Sequence, residues 1–180
     1  MKIASLIIIL FFATNVNAQL TKVDLQASGL TCSMCSNSIN KSLKTLDFVD
    51  KVDANIKNST FEITFKPNAK VDFDKIKKKV EDAGFTVANF SANYKFNNVQ
   101  IKNEQHVMIG EKTFMFLNVT SQQLNGEKTI RIIDKGFVSA KDFKKNTAFT
   151  QMQCYKTGYA AACCTKDGLV TGTRVYHATI

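Results

Sequence analysis

The sequence has no tryptophan, only two histidines, and no long apolar run beyond its N-terminal segment. Without a second apolar run, no segment after residue 18 can span a bilayer, so we expect no stable membrane insertion. The two histidines, His106 and His177, supply no His/Asp constellation of the kind that hydrolases use. These absences argue against a membrane protein and against a hydrolase.

The first 18 residues have the layout of a secretory signal peptide. A positive start at Met1-Lys2 precedes an apolar run from residue 3 to 12, and Val16-Asn17-Ala18 offers a small-x-small cleavage site. The run is about half of the ~20 residues that a spanning helix needs. We therefore predict cleavage after Ala18 and a periplasmic or secreted protein. The formal charge of +9 then indicates an acidic partner or surface, or simple solubility, because an exported chain rarely meets nucleic acid.

Apolar periodicity predicts the order β-α-β-β-α-β between residues 22 and 90. Strand-like alternation covers 22–28, 49–56 and 61–65, and a last strand begins at Phe85. A helical stripe follows Cys35, and a second helix is predicted between an N-cap at Asp72 and a stop at Gly84. This order is the split βαβ pattern of a ferredoxin-like sandwich, so we predict an α+β fold with a first domain at 19–91.

The second half has a different pattern, and we place the domain boundary in the Asn- and Ser-rich stretch 89–98. Short apolar segments separated by turn signals predict strands at 94–99, 107–109, 114–116, 130–132 and 175–180. One short helix is predicted at 140–145. We expect residues 92–180 to form a small β-rich barrel or sandwich of unknown role.

Two of the five cysteines lie three residues apart in the segment 29–35, Gly-Leu-Thr-Cys-Ser-Met-Cys. At a loop that runs into a helix, two thiols can converge on one ion, and the helix N-terminus favours the thiolate form that binds metal. A structural zinc site needs four ligands, and no second CxxC or His pair lies in this half. We predict that Cys32 and Cys35 bind a soft ion, with Cu(I) first and Hg(II), Ag(I) or Zn(II) as alternatives.

A thiol–disulfide oxidoreductase is the main alternative, because thiols tend to pair in an oxidising compartment. Only residues 19–31 lie between the predicted cleavage site and Cys32, too few for the elements that lead into a thioredoxin motif. The chain also lacks tryptophan, and no proline stands between the two cysteines. We therefore rank the oxidoreductase below the metal site.

Residues 22–90 resemble a heavy-metal-associated domain, the family of copper chaperones, the N-terminal modules of copper-transporting ATPases, and periplasmic mercury-binding proteins. The resemblance rests on the loop Gly29 to Cys35, on the element order, and on Gly84-Phe85. It implies Cu(I) or Hg(II) held by Cys32 and Cys35 and delivered by exchange with a partner's cysteines, and it does not imply catalysis. Leu30 stands where the family usually has a methionine packed beneath the loop, and this near-isosteric residue should keep that packing.

The other three cysteines, Cys154, Cys163 and Cys164, form a second group. One interpretation is a disulfide from Cys154 to Cys163 or Cys164, since a bridge between the adjacent pair would be strained. Another is a second soft-metal site built from these sulfurs with His177, and a third is an intermolecular disulfide. Both His106 and His177 lie in strand patterns, and a lone histidine in a strand is more often structural than a ligand.

These observations together predict a soft-metal carrier that is not an enzyme. Its partners are the metal ion and a metal-donor or metal-acceptor protein. Two alternatives stay open: an oxidoreductase that uses the Cys32–Cys35 pair, and a metal-sensing interaction protein whose β domain binds a macromolecule.

Overall fold

The computed structural model describes residues 18–30 and 32–180. The signal peptide predicted at 1–18 lies outside the described residues, except for Ala18. The strands are β1 Ala18–Ser28, β2 Val49–Asn55, β3 Thr60–Phe65, β4 Thr86–Ile101, β5 His106–Ile109, β6 Lys112–Phe116, β7 Gln122–Ile132 and β8 Val175–Thr179. The α-helices are α1 Ser33–Leu43, α2 Phe73–Asp82, α3 Ala140–Asn146 and α4 Gln153–Thr157, and two 3₁₀ helices cover Thr147–Phe149 and Ala162–Asp167. In the part of the chain that the structure describes, no helix has the length and apolar character to cross a membrane.

The N-terminal half has the predicted ferredoxin-like order. Strands β2, β3, β1 and β4 pair antiparallel in that spatial order, and α1 packs against α2. The Asp72 side chain caps α2 by accepting a hydrogen bond from the Lys75 backbone N–H at 3.1 Å. Gly84, with φ +88°, follows the C-cap of α2 and turns the chain into β4. The prediction for this half is therefore confirmed.

The C-terminal half differs from the predicted barrel or sandwich, because its strands continue the same open sheet. The full order is β2-β3-β1-β4-β7-β8-β6-β5, and β4 runs without interruption through the boundary predicted at residue 91. Asparagine and serine suggested a loop here, yet Phe90, Ala92, Tyr94 and Phe96 are buried while the residues between them are more exposed. This alternation makes the segment a strand. The division into 19–91 and 92–180 stays a prediction about folding units.

Hydrophobic residues form two clusters that involve alternate residues of β6 and β8. The larger cluster contains residues of both halves of the chain. The centroid of the Phe73 ring on α2 lies 5.1 Å from that of Phe90 on β4 and 5.3 Å from that of Tyr176 on β8. The smaller cluster contains Met115 and Val175, whose neighbours Phe114 and Tyr176 belong to the larger one. Because neighbouring strand residues point to opposite faces, the two clusters lie on opposite sides of the sheet.

A charged network links α2 to the C-terminal half. Arg174 donates to both carboxylate oxygens of Asp74, at 2.9 and 3.2 Å, and to Asp134 Oδ2 at 3.1 Å. The Tyr176 hydroxyl also donates to Asp74, at 2.9 Å. Burial by itself would raise the pKa of Asp74, but the hydrogen bonds and charge of Arg174 outweigh it and hold this pKa below its ordinary value of 3.8.

This depressed pKa predicts an acid-dependent loss of stability. The folded state favours the Asp74 carboxylate, so its contribution is complete above pH 3.8 and is lost as the pH falls through the lower folded pKa. Urea unfolding at pH values from 5 down to 2 should therefore show a weaker acid dependence for Asp74→Asn than for the parent protein. An identical acid dependence in the two proteins would contradict the role assigned to Arg174.

Candidate metal centre

The Cys32–Cys35 pair stands at the first turn of α1. Cys32 is the N-cap residue, with φ −150° and ψ 161°, and its Sγ accepts a hydrogen bond from the Cys35 backbone N–H at 3.3 Å. The positive end of the helix dipole therefore lies beside this sulfur. Thr31, which precedes Cys32, lies outside the described residues. The local structure accordingly aims the Cys32 sulfur at the helix N-terminus and at solvent.

The two sulfurs converge, as the spacing predicted. Cys32 Sγ and Cys35 Sγ lie 2.6 Å apart, with Cys32 exposed and Cys35 half-buried. Within residues 18–30 and 32–180, the pair belongs to no group of three or more His, Cys, Asp or Glu donors close enough to share an ion. An accessible pair of sulfur donors is suited to a soft ion that accepts two ligands. Their role as metal ligands stays a prediction.

The loop that carries the pair is anchored from beneath. Leu30 and Phe85 are partly buried and pack against the larger hydrophobic cluster, which agrees with the packing expected for Leu30. Gly29 adopts φ +82°, a backbone conformation that side chains rarely take, and a Cβ there would lie 4.0 Å from the Phe85 ring. Met34, between the cysteines, is 81% exposed. The loop is thus fixed on its inner side and open on its outer side.

Comparison with known proteins identifies the domain that carries the cysteine pair. The family model of the heavy-metal-associated domain matches residues 24–86. The mercuric transport protein periplasmic component of Pseudomonas fluorescens is 36% identical over 63 residues, which make up 35% of this chain and 68% of that protein. This chain belongs to the heavy-metal-associated domain family.

Other relatives share only the heavy-metal-associated domain. The probable copper-transporting ATPase HMA5 of Arabidopsis thaliana is 33% identical over 73 residues, or 41% of this chain and 7% of the ATPase. The solution structure of the yeast copper transporter domain CCC2A is 36% identical, covers 37% of this chain and 90% of the domain, and has a TM-score of 0.34. The chain thus spans a small fraction of the ATPase and most of the mercuric transport component.

The second cysteine group lies outside the heavy-metal-associated domain and is largely buried. Cys154 and Cys164 are fully buried, Cys163 is half-buried, and all three are thiols, without the disulfide that the sequence left open. Burial raises the pKa of the Cys154 thiol far above its ordinary value, and a hydrogen bond to Cys164 adds to this rise. Cys163 Sγ lies 3.6 Å from Cys164 Sγ. The structure therefore places all three sulfurs in one region.

The two histidines take different places around these sulfurs. His177 is fully buried, with Nδ1 2.7 Å from Asp134 Oδ1 and Nε2 3.4 Å from Cys154 Sγ. His106, which was not among the ligands predicted for a second site, has a ring nitrogen within 4.8 Å of Cys154 Sγ and Cys164 Sγ. No local pattern could have revealed this, because His106 and the cysteines are far apart in the chain and meet only through the sheet.

Proposed function

We propose that this protein binds one Cu(I) between Cys32 and Cys35 outside the cytoplasm and passes it to a partner protein. The observation that carries the proposal is the convergence of two sulfurs at the open N-terminus of α1, within a heavy-metal-associated domain. The described residues bring no third His, Cys, Asp or Glu donor close to this pair, and two soft donors suit Cu(I) better than Zn(II), which takes four ligands in structural sites. Location outside the cytoplasm rests on the predicted signal peptide.

Transfer follows from the accessibility of the pair. Cys32 and Met34 are exposed, so a partner's cysteine can approach the ion before either metal–sulfur bond of this chain is broken. Each exchange step forms one bond between the ion and an incoming thiolate and breaks one bond to Cys32 or Cys35. The incoming thiol loses its proton, and the released thiolate regains one. No bond in a substrate is made or broken, and we propose no enzymatic activity.

The test is a transfer experiment with the reduced, Cu(I)-loaded protein. Mixed with an apo heavy-metal-associated domain from a copper-transporting ATPase, it should lose copper at a rate that rises with the acceptor concentration, because exchange is associative. Copper in the two proteins is measured after rapid separation at several times. The Met34→Leu variant should behave like the parent, because it removes an exposed thioether that is not a ligand.

Two outcomes would count against the proposal. A transfer rate that is independent of acceptor concentration would indicate release into solvent before capture. Insulin reduction at catalytic amounts, dependent on both Cys32 and Cys35 and unaffected by a copper chelator, would favour the oxidoreductase. The Cys32→Ser/Cys35→Ser double variant, run in parallel, reports any copper that is carried elsewhere in the chain.

A further inference from the structure

We propose that His106, Cys154 and Cys164 form a second, buried centre that holds one Cu(I). The donor atoms of these three residues lie within 4.8 Å of one another. They come from three separate elements, β5, α4 and the 3₁₀ helix Ala162–Asp167. The proposal does not depend on the role of Cys32 and Cys35.

The orientation of His106 is the first observation that points to a ligand. Its side chain is 3% exposed, and its Nδ1 lies 2.6 Å from Asp167 Oδ2. Its Nε2 is buried and has no hydrogen-bond partner among the described residues, which is unusual for a buried polar atom. A carboxylate on Nδ1 fixes the proton there and leaves a lone pair on Nε2, as in histidines that bind metal ions. The ion would supply the partner that Nε2 lacks.

The second observation concerns the two thiols. Cys154 and Cys164 are fully buried in the smaller hydrophobic cluster, and no disulfide joins them. His177 already has partners on both ring nitrogens, Asp134 on one side and Cys154 Sγ on the other. Both nitrogens of His177 are therefore in use, whereas His106 places a ring nitrogen within 4.8 Å of the same sulfur and has an Nε2 with no other partner among the described residues. This assigns His106, in place of His177, to the ligand set.

The donor set and its surroundings favour Cu(I). Thiolate and imidazole donors suit soft and borderline ions, whereas Ca²⁺ and Mg²⁺ require oxygen ligands. Three donors, two of them within the smaller hydrophobic cluster, match an ion that is stable with three ligands, while structural zinc takes four. With bonds of about 2.0–2.3 Å, three ligands spread around one ion lie roughly 3.5–4.0 Å apart. The donors now lie within 4.8 Å of one another, so small side-chain rotations would close the site around an ion.

Cys163 lies beside the proposed centre, where it marks a path by which an ion can enter and offers a control substitution. It lines a groove of about 520 Å³ together with Met152 and Gln153, and its sulfur lies 3.6 Å from that of Cys164. It does not belong to the group of three donors. An ion can therefore enter past Cys163 without depending on it at equilibrium.

The test uses the full chain with Cys32→Ser and Cys35→Ser, so that only the second centre can respond. Under reducing conditions and in competition with bicinchoninate, this variant should bind one Cu(I). Adding Asp167→Asn, which alters the residue that hydrogen-bonds the proposed ligand His106, should weaken Cu(I) binding by ~10–100-fold. Adding Cys164→Ser removes a ligand itself and should weaken binding by more than ~100-fold. Adding Cys163→Ser, the same change one residue earlier, should lower the affinity far less than Cys164→Ser, because it removes no proposed ligand and serine keeps a polar group beside Cys164.

Circular dichroism of each variant separates lost binding from lost folding. X-ray absorption on the copper-loaded Cys32→Ser/Cys35→Ser protein, whose second centre is intact, should show two sulfur ligands and one nitrogen ligand. Absence of bound copper in that protein would overturn the proposal, as would equal losses for Cys163→Ser and Cys164→Ser. Retention of Zn(II) in preference to Cu(I) would overturn the choice of ion.

Discussion

Replacing Cys32 or Cys35 with serine is expected to lower the Cu(I) affinity of the first site by at least ~100-fold. Structural zinc sites with four ligands gain about 10–16 kcal/mol on binding, or roughly 3 kcal/mol for each ligand. A serine hydroxyl is a hard, neutral donor and cannot replace a thiolate for a soft ion. The measurement is competition with bicinchoninate on the reduced full chain, compared with Met34→Leu, which changes the exposed sulfur of the same loop.

Stoichiometry separates this prediction from the proposed second centre. The parent chain should bind two Cu(I), and the Cys32→Ser/Cys35→Ser and Cys164→Ser proteins should each bind one. A parent that binds one ion and loses it with the N-terminal pair would support the proposed function and reject the second centre. A parent whose single ion survives the loss of Cys32 and Cys35 would reject the proposed function instead.

Replacing Asp134 with alanine is expected to lower the free energy of unfolding by about 3 kcal/mol, at the lower end of the cost of breaking a buried ion pair. The Asp134 residue is 2% exposed, and its carboxylate contacts Arg174 Nη1 at 3.1 Å, the His177 backbone N–H at 3.3 Å and His177 Nδ1 at 2.7 Å. Alanine would leave these donors buried with fewer acceptors. Arg174 keeps its bonds to Asp74, and for this reason the loss should not be larger.

The measurement for Asp134→Ala is urea unfolding at neutral pH, followed by circular dichroism. Asp53→Ala is the matched control: Asp53 pairs with Lys51 at 2.8 Å, but its side chain is 54% exposed. Exposed ion pairs contribute about 0–1 kcal/mol, so the control should change little. Equal losses for the two variants would show that the buried network contributes no more than a surface pair.

The sequence predicted the structure best where a single residue type determines a local feature such as a helix end. Asp72 and Gly84 mark the two ends of α2. The Asp72 carboxylate accepts a hydrogen bond from a backbone N–H of the first turn, and Gly84 adopts the left-handed conformation that ends the helix. The paired cysteines were equally clear, because their spacing alone brings both sulfurs to one helix start. In these cases local geometry decides the outcome, and the structure agrees.

The sequence failed where composition and pattern disagreed or where distant segments meet. In the stretch 89–98, polar composition suggested a linker, but burial of every second residue from Phe90 to Phe96 makes it the middle of β4. His106 could not be linked to Cys154 by any spacing, because their contact depends on how β5 and α4 are placed by the C-terminal part of the sheet. Such contacts arise from tertiary structure, which periodicity does not encode.

The continuation of the sheet past β4 also determines where this protein can aggregate. In a four-stranded domain β4 would be an edge strand, with unpaired backbone groups ready to pair with another chain. Here β1 and β7 cover both of its sides, so that β2 stays one edge of the sheet and β5 replaces β4 as the other. β2 carries the exposed charges Lys51 and Asp53 in its middle, and β5 is only four residues long. Charge at one edge and shortness at the other protect the sheet against edge-to-edge polymerisation.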